Sequence, residues 1–259
     1  MINKKLPIIF LLGIIIFSHQ LSRAQSTWSF NGDLMSRYIW RGLDLGGPSP
    51  CIQPVLKYSY TSHNLKHNLS AGAWGSYTFS GSVNEEIDLF ASYTFLNLFS
   101  FTVTDYFFPE LNTGQKNEYF RYRSDSTGHV FEGTLSFQGT EKFPVTLLFS
   151  MNFYGNDVRK MSNDSTQGDI VMSKYIEIGY KHSFRQFDFN AWIGAALDNP
   201  DKGYSPLGYY SNKRAGITNA GMKFSRNIPI NDGFSIPIQC QLITNPMQQK
   251  FWIVLGVTI

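Results

Sequence analysis

Strand-like segments of about ten residues recur along this chain, and the connections between them sort by length. The segments cover about 28–40, 51–61, 67–79, 85–96, 99–108, 130–140, 145–155, 171–184, 187–197, 214–226, 235–244 and 250–259. A membrane-crossing strand needs about 9–11 residues at its usual tilt, whereas strands in soluble domains run to about 5–6. The three long connections, Pro109–His129, Asn156–Ile170 and Asp198–Lys213, all follow odd-numbered segments. Those after even-numbered segments are short: Ser62–Lys66, Asn97–Leu98, Glu141–Pro144, Arg185–Gln186 and Asn227–Gly233. A Greek-key sandwich has no reason to sort its loops this way. A membrane barrel does, with short turns at one end and long loops at the other. The expected fold is all-β: a closed antiparallel up-and-down transmembrane β-barrel of about 12 strands.

Alternation within the segments fits that wall. In 145–155, Val145, Leu147, Phe149, Met151 and Phe153 oppose Thr146, Ser150 and Asn152. In the last segment Phe251, Ile253, Leu255, Val257 and Ile259 share one face, with Trp252 on the other. An even strand count makes this segment run antiparallel to the first, with the aliphatic face toward lipid and Trp252 toward the lumen. In that order Cys51 and Cys240 are three strand spacings apart, about 14 Å. A disulfide's Cα–Cα limit is about 7 Å, so two free thiols are expected, with Cys240 facing lipid.

Met1–Ala24 reads as a secretory leader. Lys4 and Lys5 precede the apolar run Leu6–Phe17, which is too short to span a bilayer, and Ser22-Arg23-Ala24 is a small-x-small cleavage site. The leader holds Lys4, Lys5 and Arg23, three of the 22 basic residues, so 19 basic face 19 acidic side chains in residues 25–259. That balance gives no electrostatic case for nucleic acid. Residues 25–259 carry no linker and read as one barrel domain. Aromatic and charged residues each make up 16% of the chain, which suits an outer-membrane barrel; a secreted sandwich or jelly roll is the soluble alternative.

The face opposite the apolar one lines the lumen. It carries Asp33 and Arg37 on the first strand, Lys57 on the second, Asp88 on the fourth, Glu132 on the sixth, Glu177 on the eighth and Asp188 on the ninth. Unpaired charges inside a narrow barrel are costly, so ion pairs and water are expected there. The set serves either as a polar filling or as a narrow solute path with mild cation preference. Aromatics gather at strand ends: Tyr38, Trp40, Tyr77, Phe79, Phe107, Phe108 and Phe153 toward the outer side, and Trp28, Tyr60, Phe95, Phe184 and Phe187 toward the other. This suits two interfacial girdles, or ordinary β propensity. Asp105 falls on the lipid register, so either it sits above the hydrocarbon or a bulge shifts the strand.

The long loops hold Tyr119, Phe120, Tyr122, Tyr204, Tyr209 and Tyr210 beside Arg121, Arg123 and Arg214. Such loops suit glycan or protein contact, with Tyr119, Arg121, Tyr122, Arg123, Tyr209 and Tyr210 as the binding candidates; they equally suit packing over the barrel mouth. The chain has no HExxH, P-loop, GxSxG or CxxC signature. His63 and His67 share a turn without a cysteine or carboxylate cluster, and His129 falls in a loop. No catalytic residue, metal or cofactor is expected.

Ser36-Arg-Tyr-Ile-Trp-Arg-Gly42, followed by Pro50-Cys-Ile-Gln53 and Tyr58, resembles the opening hairpin of the TorF-type porin family, also called Gcw_chp. Gly72-Ala-Trp-Gly-Ser76, Glu86-Ile-Asp88 with Tyr93, and Tyr106-Phe-Phe-Pro109 are similar to later blocks, while Glu110 stands where the family tends to carry Gly. The resemblance covers about 28–109. It implies a small outer-membrane barrel and carries over no catalytic residues. The expected function is a narrow porin-like channel for small polar solutes or ions, or a structural barrel that binds through its loops. Expected partners are outer-membrane lipids, the barrel assembly machinery and a small polar solute.

Overall fold

A computed structural model describes residues 25–80, 85–109, 118–123, 126–160, 167–200 and 207–259. The leader reading of residues 1–24 lies outside these, as does Tyr204. Twelve strands close one barrel: β1 (Gln25–Met35), β2 (Cys51–Thr61), β3 (His67–Thr78), β4 (Glu86–Phe95), β5 (Phe99–Phe107), β6 (His129–Phe137), β7 (Val145–Gly155), β8 (Lys174–Ser183), β9 (Asp188–Ala196), β10 (Gly216–Asn231), β11 (Phe234–Asn245) and β12 (Lys250–Thr258). Each pairs antiparallel with its sequence neighbours, and β12 pairs with β1. Closure joins the two ends of the sheet over a short seam. Asp33, Leu34 and Met35 stand opposite Thr258, Val257 and Gly256. Gly32 and Ile259 exchange backbone bonds of 3.0 and 2.9 Å, and the Thr258 hydroxyl donates to Asp33 at 2.5 Å.

The pleat sorts the residues as the alternation requires. Leu89, Phe101, Leu135, Leu147, Ile178, Ile193, Ile253 and Leu255 point outward and are exposed. An apolar belt of this kind on a closed barrel is a lipid-facing surface. Trp252 and Val254 point inward and are buried. Cys51 is buried toward the lumen, Cys240 lies in the outward register, and both are free thiols.

The short turns gather at one end, here the turn end. Between β4 and β5, Leu96 and Asn97 both hold positive φ (57° and 54°) and Leu98 N–H bonds to Phe95 O, a type I′ hairpin. β10 runs on to Asn231, so its turn with β11 is only Asp232–Gly233 rather than Asn227–Gly233. The long connections lie at the opposite, loop end.

The largest departure from the sequence pattern is at the first strand. β1 stops at Met35 instead of continuing to Trp40. Residues 36–49 then turn into the barrel and form a small hairpin of their own, with Ile39–Trp40 paired to Leu43–Asp44. Tyr38 and Trp40 are therefore not part of an outer girdle. Tyr38 packs on Trp74 inside the barrel at 5.5 Å between centroids, and Trp40 stacks on Tyr210 at 5.8 Å.

Candidate functional site

The inward hairpin ends in Arg41-Gly42, both with positive φ (48° and 76°), the two-residue turn that a tight hairpin prefers. Gly42 is required for a second reason. A Cβ there would lie 2.0 Å from the backbone oxygen of Thr218 on the far wall. The Asn245 side chain donates to Gly42 O at 2.9 Å. The tip is thus seated against β10 and β11, and its arms pack on β3 and β5 through Trp74 and Tyr106.

Arg41 is largely enclosed. Its guanidinium makes a two-pronged pair with Glu132, Nη1 to Oε2 at 2.5 Å and Nη2 to Oε1 at 2.9 Å. Nη1 also donates to the Tyr210 hydroxyl at 3.0 Å. Trp40 covers the guanidinium at 4.5 Å and Tyr175 at 4.7 Å. Such a site matches the planar, five-donor guanidinium better than an ammonium. Glu132 is held independently of Arg41, by the Tyr106 hydroxyl at 3.2 Å and the Thr134 hydroxyl at 2.8 Å. Behind it, Tyr175 donates to Glu177 at 2.6 Å, and the Asn219 amide donates to both. Burial pushes the Tyr210 phenol up to about 12, so Tyr210 meets Arg41 as a neutral hydroxyl.

The predicted lumen residues separate into groups. Glu132 and Glu177 sit at the tip of the hairpin. Asp88 is buried in the lumen wall two residues from Glu86, which is buried too, and Glu86 Oε2 and Asp88 Oδ1 have no hydrogen-bond partner. Among the described residues no cation pairs with either carboxylate. Asp33 closes the β1–β12 seam. Lys57 and Asp188 face the lumen toward the turn end, where both are exposed. Arg37 is not on the wall. It lies beyond the end of β1, and its guanidinium pairs with Asp44 across the inward hairpin at 2.9 Å.

The loop candidates also divide. Tyr209 and Tyr210 are not a free surface: Tyr210 is buried in the barrel mouth against Trp40 and Tyr175, and Tyr209 packs edge-on to Trp40. Tyr119 and Tyr122 cover a buried pair on the outer wall. There His129 Nδ1 meets Asp105 at 2.7 Å and Nε2 meets Tyr119 O at 2.6 Å. His129 opens β6 rather than lying in a loop, and Phe107 packs on it at 4.6 Å. The β5 register runs without a shift through Asp105, so this carboxylate does point outward, satisfied by His129 under the cap. Arg121 is exposed and pairs with Glu118, while the Arg123 carbonyl accepts from the Ser126 and Thr127 amides.

Arg41, Tyr175 and Glu86 were not expected as site residues. The signal for Arg41 was Arg-Gly inside an aromatic stretch, a pair suited to an I′ turn and poorly suited to a strand interior.

The sequence profile of a family described as "Bacterial protein of unknown function (Gcw_chp)" matches residues 20–224. The chain belongs to the Gcw_chp family. Among proteins with curated descriptions none matches the sequence. Of solved structures, the COG4313 outer membrane channel from Pseudomonas putida F1 is similar at 10% identity and TM-score 0.43, over 91% of this chain and 93% of that one. Wzi of Escherichia coli, described as an outer membrane protein involved in group 1 capsule assembly and a carbohydrate-binding β-barrel, is similar at 11% identity and TM-score 0.31, over 81% of this chain and 52% of that one.

Proposed function

We propose that this Gcw_chp barrel is a narrow outer-membrane channel for small polar solutes or ions, closed by an internal plug. The observation that carries this is the origin of the obstruction. The wall strands present a polar face from Asp33, Lys57 and Asp188 to Asp88, Glu132 and Glu177. What fills the loop-end half comes from two connections, 36–49 and 207–215. A plug borne on a connection can swing aside without unmaking the barrel, and its tip is anchored by a single ion pair and hydrogen bonds. Export through a cleaved leader and insertion by the barrel assembly machinery complete the reading; it includes no catalytic step.

Planar-bilayer recording of the refolded protein tests this. The native barrel is expected to open rarely. Replacing residues 39–44 with a short Gly-Ser link should give steady conductance steps, with cation preference reduced by Asp88→Asn and Glu177→Gln. A folded, heat-modifiable barrel that stays silent after plug replacement defeats the channel reading. One observation favours a second reading, a surface-binding barrel: Phe120 is 89% exposed at the tip of the 118–123 cap, beside Arg121. Loss of ligand capture on Phe120→Ser, with folding intact, would support it.

A further inference from the structure

Arg41 occupies its pocket as an amino-acid side chain would occupy a binding site. Two rings, Trp40 and Tyr175, pack on the guanidinium, and its edge meets a carboxylate and a phenol. Most of the pocket belongs to the rigid wall. Glu132, Thr134 and Tyr106 hold one another on β5 and β6, and Tyr175, Glu177 and Asn219 do so on β8 and β10. Removing the hairpin leaves these contacts in place.

A second observation stands beside the first. On β7, Ser150 lies opposite Thr134 and Tyr175, and Asn152 lies opposite Glu132. Both are fully buried. The Ser150 hydroxyl and both ends of the Asn152 amide have no hydrogen-bond partner, and neither does Asn219 Oδ1. Ser150 reaches toward Glu132 and Tyr210, and Asn152 toward Asp157, without bonding geometry. Buried amides are ordinarily satisfied. A pocket that served only to seat the plug has no use for a row of unfilled donors and acceptors next to its carboxylate. A solute carrying a guanidinium and further polar groups fits both features.

We infer that the Glu132–Tyr175 pocket is a recognition site for guanidino solutes, which Arg41 fills as a tethered occupant when the plug is seated. This rests on the channel reading for its physiological sense, though not for the binding itself. Covalent tethering places Arg41 at a local concentration on the order of millimolar, so a free solute competes in the native protein only weakly.

The test uses the full-length barrel with Arg41→Ala, folding being certified by heat-modifiable migration; Arg41→Gln serves if the Ala variant does not fold. L-arginine is compared with L-citrulline, its neutral isostere. Arginine is expected to raise the unfolding midpoint of the variant at concentrations at least about tenfold below those at which citrulline does so. The effect should vanish in Arg41→Ala/Glu132→Gln. In bilayers arginine should block the variant's current with the same preference. Equal responses to arginine and citrulline, or an arginine effect that survives Glu132→Gln, overturn the site. Arginine-specific stabilisation of a barrel that never conducts upholds the site and removes the channel.

Discussion

Replacing Arg41 by Met tests how the plug is held. Its side chain is 11% exposed and that of Glu132 only 1%. Arg41→Met therefore strands a carboxylate in the lumen wall, with only the Tyr106 and Thr134 hydroxyls left to it. Removing one member of a buried pair costs about 3–5 kcal/mol, chiefly because the other charge is left uncompensated. Contacts with Trp40 and Tyr175 contribute roughly 0.5–2 kcal/mol more, part of which Met retains by packing. The loss falls on docking of the hairpin, not on the barrel ladder. Cys51 reports on docking, since it is fully buried in a cluster with Met35, Tyr38 and Trp252. In a Cys240→Ser background, a water-soluble maleimide reaches Cys51 only when the hairpin lifts. At about 1.4 kcal/mol per factor of ten, labelling should accelerate roughly 150- to 5,000-fold. Arg41→Met/Glu132→Met removes both charges, and labelling should return to within about thirtyfold of the native rate, because replacing a whole buried pair by apolar groups is close to neutral. The two hydroxyls that lose Glu132 cost about 1 kcal/mol each. Unchanged labelling in the single variant, or no recovery in the double, refutes the idea that a compensated charge pair seats the plug.

Three further outcomes follow from the geometry. Gly42→Ala should open the plug at least as far as Arg41→Met, since both the positive φ and the Thr218 backbone oxygen exclude a Cβ; the same Cys51 labelling reads it. Asp105→Asn or His129→Phe should free the 118–123 cap, seen as faster tryptic cleavage after Arg121 with the barrel's heat-modifiable band unchanged. Burial raises the Asp157 carboxyl despite bonds from the Ser173 amide (2.7 Å) and hydroxyl (2.8 Å). Its ionised form is thus less well accommodated folded than unfolded, so the Asp157–Ser173 contact should tighten as pH falls from about 7 through the raised pKa; Asp157→Asn should flatten that dependence in exchange of the Ser173 amide corrected for intrinsic rates.

The barrel was legible because the bilayer imposes three rules at once. Strand length, alternation and loop parity each follow from lipid on one side and polar wall on the other. Ten strands accordingly fall within about three residues of the pattern, all but β1 and β10, and β12 meets β1 with Trp252 inward as its alternation requires. The wall also fixes which side Asp88, Glu132, Glu177 and Asp188 take, since the pleat leaves no choice once the register is set. Nothing in one strand's pattern says which residue will stand across the lumen, so the partner of Glu132 stayed hidden.

The plug was illegible for a different reason. Tyr38, Ile39 and Trp40 have the same β-favouring, aromatic character inside the lumen as they would have in an interfacial girdle, because both environments reward an apolar ring with a polar tip. Period-two alternation continues past Met35 whether the chain goes on toward the headgroups or folds back. Arg41 breaks the degeneracy. A girdle tolerates an arginine at its rim, where the charge reaches water. It gives no reason for a glycine at the next position with φ of 76°. A buried arginine at a hairpin tip needs both a turn that only Gly completes and a carboxylate to receive it, and Glu132 is already oriented by Tyr106 and Thr134. The Arg-Gly pair that carries the family likeness is therefore a lumen feature: it specifies how the barrel is closed, while the apolar alternation around it specifies only that there is a barrel.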